Sequence, residues 1–302
     1  TPTNNNHDST KQQTESELDK EIKSKPHLTP MNLSLEGIEE QHRMKLKKLI
    51  LKHERLWDTT LTKPIVKTLP KCDIALKEGT EFKGQGHTQM MNPTTKAALR
   101  KIIQDKLKRE IITESKSACS SSVRLVPKPG GGVRFCVDYR TLNKSIKPDA
   151  YTLPSTQDQF LALAGNKYFT SLDMKEAFWT VPLTKRSQEL TAFRTPDGLF
   201  MYKRMPMGLK TASAMFCRFI DNVLGDLKWE SVLTYIDDLL IASKTMTDHI
   251  TILSTVFDRL DRANITLGAK KCHIATDSVK FLGHIVSEEG VRPDPQKTLA
   301  IE

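Results

Sequence analysis

Three aspartates carry the chemistry that this chain has to offer. Asp237 and Asp238 sit side by side in the apolar run Val232-Leu233-Thr234-Tyr235-Ile236-Asp237-Asp238-Leu239-Leu240-Ile241-Ala242. Strand-forming residues flank the pair, so the segment reads as a β-hairpin with the acids at its tip. Two carboxylates about 4 Å apart repel by roughly 4 kcal/mol at an effective dielectric of about 20. Such a pair persists when it is solvated or when a cation neutralises it, and Mg²⁺ is the hard, oxygen-seeking cation that fits best. An acidic hairpin tip on its own is most often only a wet turn. A third acid shifts the balance: Tyr168–Leu172 reads as a strand that ends on Asp173, followed by Met174-Lys175-Glu176-Ala177-Phe178. Three carboxylates on neighbouring strands of one sheet can hold two Mg²⁺ ions roughly 4 Å apart, with Mn²⁺ as an alternative. That chemistry is in-line phosphoryl displacement, and it serves polymerases and nucleases alike.

The bulk composition agrees with a phosphate-rich partner. The 302 residues carry 46 Lys and Arg against 36 Asp and Glu, a net charge of +10. Nucleic acid is the polyanion this favours. A hydrophobic content of 38% supports a real core, and no apolar run is long enough to span a bilayer. No basic amphipathic helix with an aromatic face points to a membrane surface, and no secretory signal opens the chain. Cys72, Cys119, Cys136, Cys217 and Cys272 are odd in number and widely spaced. This argues against a disulfide framework and a zinc site, and fits a reducing compartment.

The acids need elements to hold them. Residues 1–30 are polar, with Asn4-Asn5-Asn6 and Gln12-Gln13, and are expected to remain a disordered tail. Residues 36–57 repeat apolar residues near helical spacing, and a short strand-like stretch is expected at Cys72–Leu76. Asn92-Pro93-Thr94 starts a helix through about Arg109. Its Lys96, Arg100, Lys101, Lys106, Lys108 and Arg109 read as a solvated face. Residues 120–126 and 133–139 form a hairpin around the mobile tip Lys128-Pro129-Gly130-Gly131-Gly132. Helices are expected at 155–164, at 210–224 before Gly225, and over Asp248–Ala263. Strands at Ile265–Leu267, His273-Ile274 and Val279–Val286 close the pattern, with a turn at Glu288-Glu289-Gly290. This order describes an α+β domain with helices on one face of an antiparallel sheet.

Five collinear segments between 115 and 295 carry a resemblance. They include Val133-Arg134-Phe135-Cys136-Val137-Asp138-Tyr139-Arg140-Thr141-Leu142-Asn143, Thr191-Ala192-Phe193-Arg194-Thr195, Met205-Pro206-Met207-Gly208-Leu209 and Tyr235-Ile236-Asp237-Asp238. The last is Phe281-Leu282-Gly283-His284-Ile285-Val286-Ser287 with Gly290-Val291-Arg292-Pro293-Asp294-Pro295. Together they resemble the reverse transcriptase of gypsy-type LTR retrotransposons. The resemblance implies a right-hand polymerase: a disordered leader over 1–35, and an extension over 36–92 with one amphipathic helix. Fingers would follow over 93–165 and a palm over 166–290, partly interleaved. Residues 291–302 would begin a truncated thumb connection, the thumb itself being absent. The chain, which starts at Thr1, would be a piece of a longer polyprotein.

The same resemblance assigns roles. Asp173, Asp237 and Asp238 match the catalytic acids, with Asp173, Asp237, Asp238 and the Met174 carbonyl as metal ligands. Phe178 matches the ring under the incoming sugar that excludes a 2′-hydroxyl. Lys128, Arg134 and Met207 fall with the nucleotide-binding residues, and Arg140, Asn143, Gly208, Tyr235, Leu282 and Gly283 with the template and primer contacts. Lys271, or Lys270, is a candidate proton donor to the leaving pyrophosphate. The sequence departs from the family at Phe178, where Tyr is usual, at Met207, where an aromatic is usual, and at Lys210-Thr211-Ala212-Ser213. The implied activity is RNA-directed DNA synthesis from deoxynucleoside triphosphates on a primed RNA or DNA template. Further polyprotein modules or a dimer partner would assist it. An intracellular setting is implied, in cytoplasmic virus-like particles or the nucleus. The rival readings are a nucleic-acid-binding module without catalysis and an RNA-templated RNA polymerase.

Overall fold

The computed structural model describes residues 13–298, apart from 34, 62, 89, 129–130, 152–159, 162, 164 and 228–230. Its centre is a five-stranded sheet. Tyr168–Asp173 pairs antiparallel with Asp238–Ser243, from Tyr168 opposite Ser243 to Asp173 opposite Asp238. Val232–Tyr235 flanks the second of these and closes a hairpin through Ile236-Asp237. Ile236 takes φ 55°, a left-handed value rare for a β-branched residue, as this tight turn demands. On the other side His273–Thr276 pairs antiparallel with Tyr168–Asp173, and Asn32–Leu33 adds a parallel outer edge.

The strand alternation splits the core in two. Leu239 and Ile241 face the helices, whereas Leu240 and Ala242 face the opposite way. The helical side holds Ala212–Leu224 and Met246–Arg262. The latter is capped by Thr245, whose side chain accepts from the Asp248 amide, and buries Met246, His249, Leu253, Val256, Phe257 and Leu260 at 3–4 residue spacing. Ala212–Leu224 stops at Gly225, whose φ of 54° suits a residue without Cβ. The opposite face is covered by a three-stranded antiparallel sheet, Ser278–Phe281, His284–Ser287 and Gly290–Pro293, through Val279, Phe281 and Val286.

A second five-stranded sheet has the order Ile112–Glu114, Gly198–Tyr202, Phe193–Thr195, Ser121–Pro127, Val133–Asp138. The chain therefore leaves this layer to build Tyr168–Asp173 and returns to it with Phe193–Tyr202. Helix Pro93–Lys108, capped by Asn92, packs against both of its outer strands, Ile112–Glu114 and Val133–Asp138.

Some expectations change. The tail expected over 1–35 contains helix Glu15–Ser24, opened by a capping box between Thr14 and Glu17. Its order comes from its partners rather than from its own composition. Leu18 and Ile22 are buried. Glu15 accepts from Arg43 and Lys47, which hold its carboxyl down at about 2. Asp19 and Lys25 pair with Lys47 and Glu54, anchoring the helix to Glu40–Lys52 and to the turn after it. Residues 1–12 lie outside the described residues, as does most of the helix expected at 155–164. The expected strand Ile265–Leu267 is a single bridge from Leu267 to Met174, and Cys72–Leu76 contributes only isolated bridges to Leu183 and Ile146.

Leu18 is fully buried, so Leu18→Ala should lower unfolding stability by about 2–5 kcal/mol, read as a shifted denaturant midpoint. A disordered leader would give no shift.

Candidate active site

Ladder register brings the acids together. Asp173 ends its strand directly opposite Asp238, so both side chains leave the same face of the sheet. Asp237 occupies the turn beside them, and its carbonyl accepts from the Met174 amide at 2.8 Å. That bond ties the hairpin tip to the end of the Asp173 strand. Burial, followed by the charges of Asp237 and Asp173, pushes the Asp238 carboxyl up to about 6, with Lys271 pulling the other way. Asp238 therefore feels the other two acids, and as an all-oxygen set the three suit a hard divalent cation. Among the described residues no group of three or more His, Cys, Asp or Glu side chains is drawn into a ready-made metal cluster.

Two neighbours bound the Asp173 carboxylate. Lys271 donates to Asp173 Oδ1 at 2.8 Å, and this bond raises the lysine pKa and keeps it charged. Gly268 lies so near that a Cβ there would meet Asp173 Oδ2 at 2.8 Å, while its amide donates to the Asp173 carbonyl at 2.8 Å. Any side chain at 268 would displace the carboxylate. Of the two lysines considered, Lys271 is the one on the acid.

The remaining candidates line the surfaces around this point. Phe178 lies in the short 3₁₀ turn Ala177–Thr180, its ring edge-on to Phe216 at 5.5 Å. Arg134 and Lys128 are exposed on and beyond the hairpin strands. Arg140 is engaged with Asp138, to which it donates at 2.9 and 2.6 Å, holding that carboxyl down at about 2. Asn143 donates to the Gly208 carbonyl at 2.9 Å and accepts from the Lys210 amide at 2.8 Å. Its carboxamide thus shapes the loop that presents exposed Met207 and Gly208, the glycine at φ 94°. Tyr235 ends its strand opposite Asp238. Leu282 and Gly283, at φ 50° and 79°, make the two-residue turn between Phe281 and His284.

Comparison with known proteins decides the family. The family described as Reverse transcriptase (RNA-dependent DNA polymerase) matches residues 126–286, just over half of the chain. The chain belongs to this reverse transcriptase family. It is 38% identical over 201 residues to the Transposon Tf2-3 polyprotein of Schizosaccharomyces pombe, a match covering 67% of the chain and 15% of that polyprotein. The Tf2-7 polyprotein of the same yeast is 37% identical over 201 residues. Among solved structures it is similar to the foamy viral protease-reverse transcriptase in complex with RNA/DNA hybrid. The TM-score is 0.77 at 24% identity, over 95% of this chain and 37% of that one. The native Prototype Foamy Virus Protease-Reverse Transcriptase gives a TM-score of 0.69 at 27% identity, over 89% and 34%. The expected polymerase fold of fingers and palm is thereby met, and members of the family work with divalent metal ions.

In this reverse transcriptase chain several supporting residues escape a reading of the sequence alone. His249, one of eight scattered histidines, is fully buried. Its ring bonds Thr170 Oγ1 at 2.8 Å and Ser243 Oγ at 2.9 Å, one on each of the two strands that carry Asp173 and Asp238. Burial holds it neutral, down at about 4. Lys106 and Arg109, expected on a solvated face, are turned inward instead. Gly268 carries no local motif. Only its place three residues before Lys271 could have drawn notice.

An acid raised from 3.8 to about 6 weakens the fold as it ionises, so its cost grows between about pH 4 and 6 and is full above that. Asp238→Asn should therefore raise the metal-free Tm at pH 7, and the gain should vanish below about pH 4. An unchanged Tm at pH 7 would show that Asp238 is not strained by its neighbours.

Proposed function

We propose that this chain is the RNA-directed DNA polymerase segment of a retrotransposon polyprotein. It would add deoxynucleotides to a primer 3′-hydroxyl opposite a template. The observation that carries this reading is the register that sets Asp173 opposite Asp238, with Asp237 in the adjoining turn. Asp173, Asp237, Asp238 and the Met174 carbonyl would hold two Mg²⁺ ions, or Mn²⁺. Bound there, the ions would lower the pKa of the attacking hydroxyl and offset charge on the leaving oxygens.

The protein residues supply the rest. The primer oxygen bonds to the α-phosphorus as pyrophosphate leaves. Lys271, charged and bonded to Asp173, would protonate that leaving group. The Phe178 ring meets the sugar and disfavours a 2′-hydroxyl. Lys128 and Arg134 meet the triphosphate, the guanidinium fork suiting phosphate oxygens, and Met207 lies against the new base pair. Arg140, the Gly208 loop shaped by Asn143, Tyr235 and the Leu282-Gly283 turn hold template and primer. A net charge of +10 supports a nucleic-acid partner. The foamy viral neighbour was solved with an RNA/DNA hybrid, which suggests the kind of duplex.

The chain spans 15% of the length of the Tf2-3 polyprotein, so further polyprotein modules or a second copy are natural partners. All five cysteines are free, which suits an intracellular setting, whether cytoplasmic particles or the nucleus. Among the described residues no helix is long and apolar enough to cross a membrane.

Primer extension on an RNA template with Mg²⁺ tests the proposal. Asp237→Asn should lower product formation by about 10²–10³-fold or more. Equal product from the variant would trace to a contaminant and remove the assignment. Primer–template affinity should fall on the order of a thousandfold between 50 and 200 mM salt, and a flat response would contradict phosphate-dominated binding.

A further inference from the structure

The turn Ala177–Thr180 presents Phe178, and within it the Thr180 hydroxyl donates to the Ala177 carbonyl. It is a single 3₁₀ turn, whose hydrogen-bond geometry is poorer than that of an α-helix. It is entered through Glu176 at φ 54°, a left-handed value without the excuse of glycine. Contacts from outside the turn hold it as well.

Three contacts do so. Glu176 is paired with Arg109, which also reaches Asp105 at 3.6 Å and lies 5.5 Å from the Trp179 ring centre. Lys106 Nζ stands 3.6 Å over the Trp179 ring, with the Phe135 and Tyr202 rings at 5.6 and 6.0 Å. Arg204 Nη1 donates to the Trp179 carbonyl at 2.9 Å. Lys106 is only 6% exposed, and among the described residues no carboxylate pairs with it. A buried lysine ordinarily demands an acid. Here aromatic faces take that place, and the burial lowers its pKa to about 8. Lys106 and Arg109 come from the end of helix Pro93–Lys108, and Phe135 adjoins Arg134. The clamp thus connects the fingers sheet and helix to the palm turn that carries Phe178.

We propose that Lys106, Trp179 and the Arg109–Glu176 pair are positioning residues that fix Phe178 and so set the discrimination against ribonucleotides. The inference rests on the reading of Phe178 as the residue facing the sugar. Rejecting one hydroxyl requires a ring that cannot retreat, since displacements of about 1 Å undo such selection. A cavity of about 50 Å³ borders the turn, lined by Arg109, Lys175, Glu176, Trp179, Thr180 and Arg204 among others. It gives the turn somewhere to go once the clamp is lost.

The test is single-nucleotide primer extension with deoxy- and ribonucleotides, comparing wild type, Phe178→Val, Lys106→Met, Lys106→Arg and Glu176→Gln. Lys106→Met and Glu176→Gln should each lower the deoxy-to-ribo ratio of kcat/KM by about tenfold, mainly through a lower KM for the ribonucleotide. Lys106→Arg keeps the cation and should keep most of the ratio. If Phe178→Val relaxes discrimination but Lys106→Met and Glu176→Gln do not, the clamp is wrong. If Phe178→Val itself changes nothing, the reading of Phe178 fails instead. Equal losses for both nucleotides at a constant ratio would show a merely structural role and overturn the proposal. Should Lys106→Met unfold, the half-exposed Glu176→Gln decides alone.

Discussion

Like charges do not gather unaided. Asp173 and Asp238 are held opposite each other by backbone pairing along six successive positions, against their mutual repulsion and partial burial. Everything around them serves that register. A one-residue slip would turn every side chain of the strand to the other face. Both faces are committed, Leu239 and Ile241 to the helices and Leu240 and Ala242 to the small sheet, so a slip would expose one set and bury the wrong other. His249 adds a polar bolt through Thr170 and Ser243, joining helix Met246–Arg262 to both strands. Lys271 and Gly268 then define the room left around Asp173.

The acids and their hairpin were readable in the sequence because their signals are local. An apolar run broken by Asp237-Asp238 admits few folds other than a turn between strands. Helix Met246–Arg262 was equally plain, with its apolar spacing and its Thr and Asp at the start. What escaped depends on partners remote in the chain. Lys106 looked like one more surface cation because its cage is drawn from Phe135, Trp179 and Tyr202. Asn143 looked like a contact for nucleic acid, and its bonds to Gly208 and Lys210 appear only when the loop folds back on it. The leader looked disordered because composition cannot register that Glu15 meets Arg43 and Lys47.

Among the described residues six that are not glycine have left-handed backbone, Glu110, Asn264 and Ala275 among them, and the other three are Glu176, Ile236 and Leu282, next to the proposed site. These three have a common feature. Each sits at a turn that presents a proposed functional side chain or backbone: Phe178, the paired acids and the Leu282-Gly283 turn. Such conformations persist where surrounding contacts over-determine them. Here those contacts are the Arg109 pairing, the bond from the Met174 amide to the Asp237 carbonyl, and the bond from the Asp294 amide to the Gly283 carbonyl.

The two residues Asn32–Leu33 have a consequence out of proportion to their length. By lying along His273 and Ile274 they occupy backbone donors and acceptors at one margin of the central sheet. An unprotected margin of that kind is a template on which another chain can add. The segment that follows Glu15–Ser24 therefore covers part of that margin, at His273 and Ile274, against pairing with a further strand.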